Sequence, residues 1–243
     1  MSVFHEILYP CLAINERFLM ETAENRMSST DIYQTVRNGL ITGRFEAGSK
    51  LKPEILRKNY DCAASTMREV LFRLSCDGFV SFEEQRGFKV PVSTQNTLEE
   101  ITSLRTLIEQ EGARLSIENG DIDWEARFAA AHHKLAHIES RATAVNDVSP
   151  FIDVWSQAEW EFHDTLLSVC GSKMLRQLHR TFYDRFRQHQ LLRDPDSMGF
   201  RPETLDEHEA ILKSAINRDT ELCCKLIKEH LHNNLMAYFN QLV

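Results

Sequence analysis

Along the first third of the chain, apolar residues recur in short runs separated by clear stop signals. Ile32, Val36, Leu40 and Ile41 fall at helical spacing behind Ser29-Thr30-Asp31, which supplies N-cap chemistry, and Gly43 closes the run. Phe45-Glu46-Ala47-Gly48 reads as a turn into Lys50-Leu51, and Pro53 suits the first position of a short helix through Tyr60. After a turn at Asp61-Cys62, Ala63 or Ala64 opens a third helix that buries Met67, Val70, Leu71 and Leu74, and Gly78 stops it. Phe79-Val80-Ser81-Phe82 and Phe88-Lys89-Val90 are strand-like, flank Gln85-Arg86-Gly87, and end at Pro91. Helix, short helix, helix and hairpin in that order predict a winged helix-turn-helix over residues 29–92.

From Thr94 onward, strand signals give way to helical periodicity. The spacing predicts helices over 96–119, 123–140, 149–170, 172–193, 203–217 and 219–241, separated by Gly120, Pro150, Gly171 and a loop from Asp194 to Pro202. The expected fold is therefore mainly α: a winged helix-turn-helix with a small hairpin wing, a linker at 93–95, and an all-α bundle of six to seven helices over 96–243. Residues 1–28 form an N-terminal extension. Its Phe4, Ile7, Leu8, Cys11, Leu12 and Ile14 fit either one amphipathic helix or a frayed tail.

Composition narrows the class. Apolar content of 42% and charged content of 26% are those of a soluble globular chain. The six cysteines form no CxxC pair, and no apolar run reaches membrane-spanning length. Glu6, Asn15, Glu16 and Arg17 interrupt the place where a signal peptide needs its apolar core, so a reducing cytoplasmic setting is expected. The net charge of −8 argues against a general nucleic-acid binder, but it is unevenly spread. Residues 29–95 carry ten Lys/Arg against eight Asp/Glu, a net of +2, whereas residues 96–243 carry sixteen against twenty-four. A reading head of such modest charge needs two copies or well-placed arginines.

The reading turn of the third helix is Ala63-Ala64-Ser65-Thr66-Met67-Arg68. Ser65 and Thr66 can bond phosphates or bases, and Arg68 can grip guanine through two hydrogen bonds. Lys52, before the short helix, adds positive charge, and Arg86-Gly87 at the wing tip suits a minor-groove or phosphate contact. Taken singly, either arginine fits a solvated surface charge equally well; the ordered combination points to DNA. This segment resembles the DNA-binding domain of the GntR family of bacterial transcription regulators. The matching elements are Ile41-Thr42-Gly43-Arg44-Phe45 before Ala47-Gly48, Met67-Arg68-Glu69-Val70-Leu71, Leu74, Gly78-Phe79-Val80 and Arg86-Gly87-Phe88. It departs from the family at Ala63-Ala64-Ser65-Thr66, where Ser/Thr-Arg-Thr-Pro is common, and at Glu54, where some members carry arginine. The resemblance therefore implies recognition carried more by Ser65, Thr66, Arg68 and Arg86.

In the helical half, Glu159 and His163 are the conspicuous polar members of a face with Trp155, Phe162, Leu166 and Cys170. His208 shares a face with Ile211, Leu212 and Ala215, and His230 with Cys223, Leu226 and Ile227. If the last two helices are antiparallel about Arg218-Asp219, both imidazoles lie at one level, about 15–17 Å from the turn. Three imidazoles and a carboxylate fit a divalent transition metal, zinc or nickel; they fit equally a polar network completed by Glu159, Glu207 or Glu229. His5, His132, His133, His137, His179, His189 and His232 need only an ordinary surface or core role.

This half resembles the FCD ligand-binding domain of the FadR subfamily. The resemblance rests on Arg105-x-x-x-Glu109, Glu159-x-x-Phe162-His163, Glu207-His208-x-x-Ile211-Leu212 and His230-Leu231. In that subgroup an Asp and three His bind a metal beside a small carboxylate effector, and Glu159 stands at the Asp position. The resemblance implies a metal site of Glu159, His163, His208 and His230, with Arg105, Arg185 and Arg187 as candidates to anchor the effector. It also implies a homodimeric repressor on a pseudo-palindromic operator, and no enzyme activity. Two other readings remain open from the residues: a metal-dependent enzyme using the Glu/His cluster, and a DNA-binding protein whose bundle only dimerises.

Overall fold

The computed structural model describes residues 27–145, 149–193 and 201–240. The expectations for residues 1–26 and for most of the 194–202 loop lie outside the described residues. The chain divides into two compact units: residues up to Asn38 with Ser49–Val90, and Gly39–Gly48 with Pro91 onward.

In the first unit, α1 (Ser29–Ile41) is capped one residue earlier than the spacing suggests. The Ser28 hydroxyl accepts from the Asp31 amide at 3.1 Å, and the Asp31 carboxylate accepts from the Ser28 amide at 3.1 Å. This reciprocal pair satisfies two amides that the helix itself leaves open. Pro53 opens α2 (Pro53–Leu56), which tightens into a 3-10 turn at Arg57–Asn59. The reading helix α3 (Ala64–Cys76) buries Met67, Val70, Leu71 and Leu74. Gly78, at φ +81°, ends it: the Phe79 amide bonds Leu74 and the Gly78 amide bonds Ser75. These two bonds satisfy the last carbonyls of α3 and turn the chain into the wing.

The wing is a three-stranded antiparallel sheet of β1 (Lys50–Leu51), β2 (Ser81–Glu83) and β3 (Gly87–Lys89), in the order β1-β3-β2. Sequence pattern suggests only the hairpin, because a strand of two residues is too short to show alternation. Its register, Leu51 opposite Phe88, seats both side chains in the core of this unit. Phe79 and Val80, expected as strand, are instead buried in the approach to β2.

The second unit carries α4 (Gln95–Asn119), α5 (Ile122–Val145), α6 (Ile152–Leu166), α7 (Lys173–Arg193), α8 (Thr204–Ile216) and α9 (Thr220–Asn240). Thr94 caps α4 by accepting from the Thr97 amide. A 3-10 turn at Ser149–Phe151 precedes α6, which ends short of the expected Cys170 because residues 167–170 turn tightly toward Gly171 at φ +77°. α4 packs on α7 and α9, while α5 packs on α6 and α8. The core between them is aromatic: Phe128 lies between Trp124 and Phe162, with ring centroids 6.0 and 4.9 Å away. Among the described residues no helix is long and apolar enough to cross a membrane, and no disulfide forms.

Phe128 is fully buried, so Phe128→Ala removes a ring from the stack and leaves a cavity. The expected loss is about 3–5 kcal/mol, read as a lower urea midpoint with an unchanged slope.

Candidate functional site

His163 from α6, His208 from α8 and His230 from α9 converge inside the second unit, each about 1% exposed. Ring centroids are 5.7 Å apart for His163–His208, 5.4 Å for His163–His230 and 4.7 Å for His208–His230. One ring nitrogen from each falls within 4.8 Å of the others. A turn-joined pair of antiparallel helices brings His208 and His230 level, as their spacing about Arg218 predicts.

Behind each imidazole stands a carboxylate. His163 Nδ1 is 2.9 Å from Glu109 Oε2, His230 Nδ1 is 2.7 Å from Glu207 Oε2, and His208 Nδ1 is 3.3 Å from Glu139 Oε1. A carboxylate only accepts, so each Nδ1 carries the proton and each Nε2 keeps its lone pair. The Nε2 atoms of His163 and His208 are buried with no hydrogen-bond partner, while Asn234 Nδ2 lies 3.1 Å from that of His230. Buried acceptors without partners are costly, and clustered imidazole nitrogens backed by carboxylates are the donor set a transition metal takes. The residues present therefore fit a divalent metal.

Glu159 stands beside this trio. Its Oε1 lies 3.8 Å from His163 Nε2, and its Oε2 accepts from the Tyr183 hydroxyl. Burial pushes its carboxyl up, but the charges of Arg187, His163 and Arg105 outweigh that and hold it at about 2. Glu159 is therefore an anion at neutral pH. Of the other carboxylates named from sequence, Glu207 backs His230 and Glu229 lies exposed, 3.8 Å from Lys225. Glu139 escaped sequence reading. It occupies an inward position on α5 in phase with Phe128, Leu135 and Ala142, and a carboxylate on an apolar stripe was the available signal.

A small cavity opens beside His208 and His230, walled also by Glu159, Arg187, Gln190, Thr204 and Asn234. Arg187 donates to Ser156 Oγ at 2.7 Å, and its guanidinium lies 5.0 Å from the Trp155 ring centre. Arg105 is elsewhere: fully buried, it donates from Nε to Glu109 Oε1 at 2.5 Å. Arg185, two residues from Arg187 on α7, is not among the cavity's lining residues, and its guanidinium lies 5.5 Å from the Phe182 ring centre. Of the remaining histidines, His179 and His189 are core residues, His132 is half-buried, and His133, His137 and His232 are exposed.

In the first unit, a groove between α3 and the wing is lined by Lys52, Ser65, Arg68, Arg86 and Gly87, whereas Thr66 is half-buried outside it. No side chain caps α3 at Ala63, so its first amides are free for a phosphate. Gly87 adopts φ +77°, the conformation the wing tip requires, and Arg86 pairs with Glu83 at 2.9 Å. The sequence reading missed Phe72 and Phe82, about half exposed, which meet edge to face at 6.2 Å in the groove.

A winged reading head followed by an all-helical bundle is the architecture of a DNA-binding transcription regulator. The chain belongs to the GntR family: residues 28–90 match the profile "Bacterial regulatory proteins, gntR family", and residues 100–233 match the FCD domain. It is 31% identical over 205 residues to the HTH-type transcriptional regulator BphR of Paraburkholderia xenovorans, covering 84% of this chain and 82% of BphR. It is 27% identical over 208 residues to the HTH-type transcriptional repressor GlaR of Escherichia coli, covering 84% and 93%. Escherichia coli McbR/YncC shares the fold at a TM-score of 0.70 and 18% identity, covering 89% of this chain and 100% of that one. A putative GntR regulator from Rhodococcus sp. RHA1 does so at 0.67 and 23%, covering 87% and 97%. The gntR profile and both of these relatives are described as transcription regulators, which points to a non-enzyme.

Burial holds His163 below the ordinary imidazole range and brings His230 down to about 4. The unfolded chain therefore takes up protons first, and the metal-free protein loses stability as pH falls from about 6.5 towards about 4. Glu159 and Glu207, both at about 2, extend the loss as pH drops below about 4.5. Urea midpoints measured in the presence of chelator should fall steadily from neutral pH downward, and His230→Asn should flatten the upper part of that curve.

Proposed function

We propose that this protein is a cytoplasmic, homodimeric repressor whose operator affinity is set by a small carboxylate metabolite bound beside a divalent metal. The carrying observation is the trio His163, His208 and His230, each with Nδ1 against a carboxylate and one ring nitrogen of each within 4.8 Å of the others. Glu159 is placed to complete the set with one oxygen. Zinc or nickel suits three imidazoles and one carboxylate. A bound ion supplies a positive, Lewis-acidic point for an effector carboxylate. Arg187, in the cavity wall, supplies a second. Arg105, bonded to Glu109, and Arg185, outside the cavity lining, are the other two candidates to anchor the effector.

On the DNA side, Arg68, Ser65 and the free amides of α3 face the major groove, and Lys52, Arg86 and Gly87 hold the backbone. Two heads on a two-fold operator compensate for the small charge of one. The effector regulates by favouring one arrangement of the heads over the other. The repressor sense draws on the likeness to GlaR.

Metal analysis of purified protein tests the sensor. His208→Ala and His230→Ala should each sharply reduce bound metal, and unchanged occupancy in both would overturn the assignment. For the head, Arg68→Ala should weaken binding to a duplex selected from random sequences by about 1–3 kcal/mol more than binding to unrelated duplex at the same salt. Equal losses on both duplexes would rule out base readout.

A further inference from the structure

Of the three carboxylates behind the histidines, Glu109 differs from the others. It is completely buried, and it receives three donors from three helices. Arg105 Nε on α4 lies 2.5 Å from Oε1, His179 Nε2 on α7 lies 3.1 Å from Oε1, and His163 Nδ1 on α6 lies 2.9 Å from Oε2. Glu139 and His208 meet only at 3.3–3.4 Å, and Glu207 is partly open to solvent. His179 is fully buried, stacks on Trp160 with centroids 5.2 Å apart, and its Nδ1 has no hydrogen-bond partner. The ring is therefore held through its one bond to Glu109.

α4 contributes no ligand to the trio, yet it carries Glu109 and is capped at Thr94, immediately after the segment that leaves the wing. Glu109 lies fourteen residues into that helix from Gln95, about 21 Å along its axis. A shift of α4 relative to α6 would alter the contact between Glu109 and His163.

We infer that Glu109 is a positioning residue for the metal centre: it keeps His163 in its ligating tautomer and ties that centre to α4. The inference rests on the metal reading above and extends it to a residue that touches no ligand. Ligation through His163 Nε2 requires the proton at Nδ1, and Glu109 is the acceptor that keeps it there. The same carboxylate fixes His179 and neutralises Arg105, so α4, α6 and α7 are pinned at one point.

The test uses the full chain with Zn²⁺. Glu109→Gln removes the charge and keeps the shape. Because it leaves Arg105 buried without its anion, the double variant Arg105→Met/Glu109→Met, which removes both charges at similar volume, is measured beside it. Zinc affinity, by competition with a chromophoric chelator, should fall about 10–100-fold in either variant that folds. Amide exchange at saturating zinc provides the second readout. In the parent chain zinc should slow exchange in α4 as well as in α6, α8 and α9; in the variants it should slow only the last three. Zinc affinity equal to that of the parent, or α4 slowed as in the parent, would overturn the role of Glu109 while leaving the metal reading intact. A parent chain that binds no zinc would overturn both.

Discussion

Three buried imidazoles can share one site only if their protons are kept out of it. Each here donates its Nδ1 hydrogen bond to a carboxylate on another helix: His163 to Glu109, His208 to Glu139 and His230 to Glu207. That arrangement sets the tautomers and leaves each Nε2 with its lone pair. It also dictates what the helices around it must carry. α4 and α5 contribute Glu109 and Glu139, and α8 contributes Glu207 along with His208.

The surrounding core supports this centre. Phe162, next to His163, lies 4.7 Å from the His208 ring and 4.9 Å from Phe128, so the aromatic stack continues directly into the imidazoles. A rigid wall of this kind holds rotamers that a loose one would release. Burial then does two opposite things: it pushes the imidazoles toward neutrality, and it raises the cost of every carboxylate, which Arg105, Arg187 and the rings themselves offset.

The reading head follows a different logic. Its frame is conventional, with a glycine-terminated α3 and a three-stranded wing, but the first turn of α3 offers Ala63 and Ala64 where a larger side chain would reach DNA. Ser65, Arg68, Lys52 and Arg86 line one groove, and a pair of exposed aromatics lies among them.

Much of this was legible in the chain itself. Helical and strand periodicities, glycine stops and capping residues act over a few residues, so the element order, the hairpin and the six long helices follow from local chemistry. The convergence of His208 and His230 follows too, because one turn and two helical pitches determine it. Other features needed the tertiary structure. The pairing of Leu51 with Phe88 turns two residues into a strand through a distant partner. Glu109 meets His163 across 54 residues, and Glu139 meets His208 across 69. His179 read as an ordinary core histidine until its bond to Glu109 placed it in the network. Arg105, Arg185 and Arg187 read as candidate effector anchors; packing buries the first against Glu109, sets the second over Phe182 and places the third in the cavity wall. The sequence by itself determined which chemistry the chain possesses and in what order. Only the packing of helices decided which carboxylate serves which histidine, because such contacts depend on helix phase and register summed over the whole bundle, which no local pattern records.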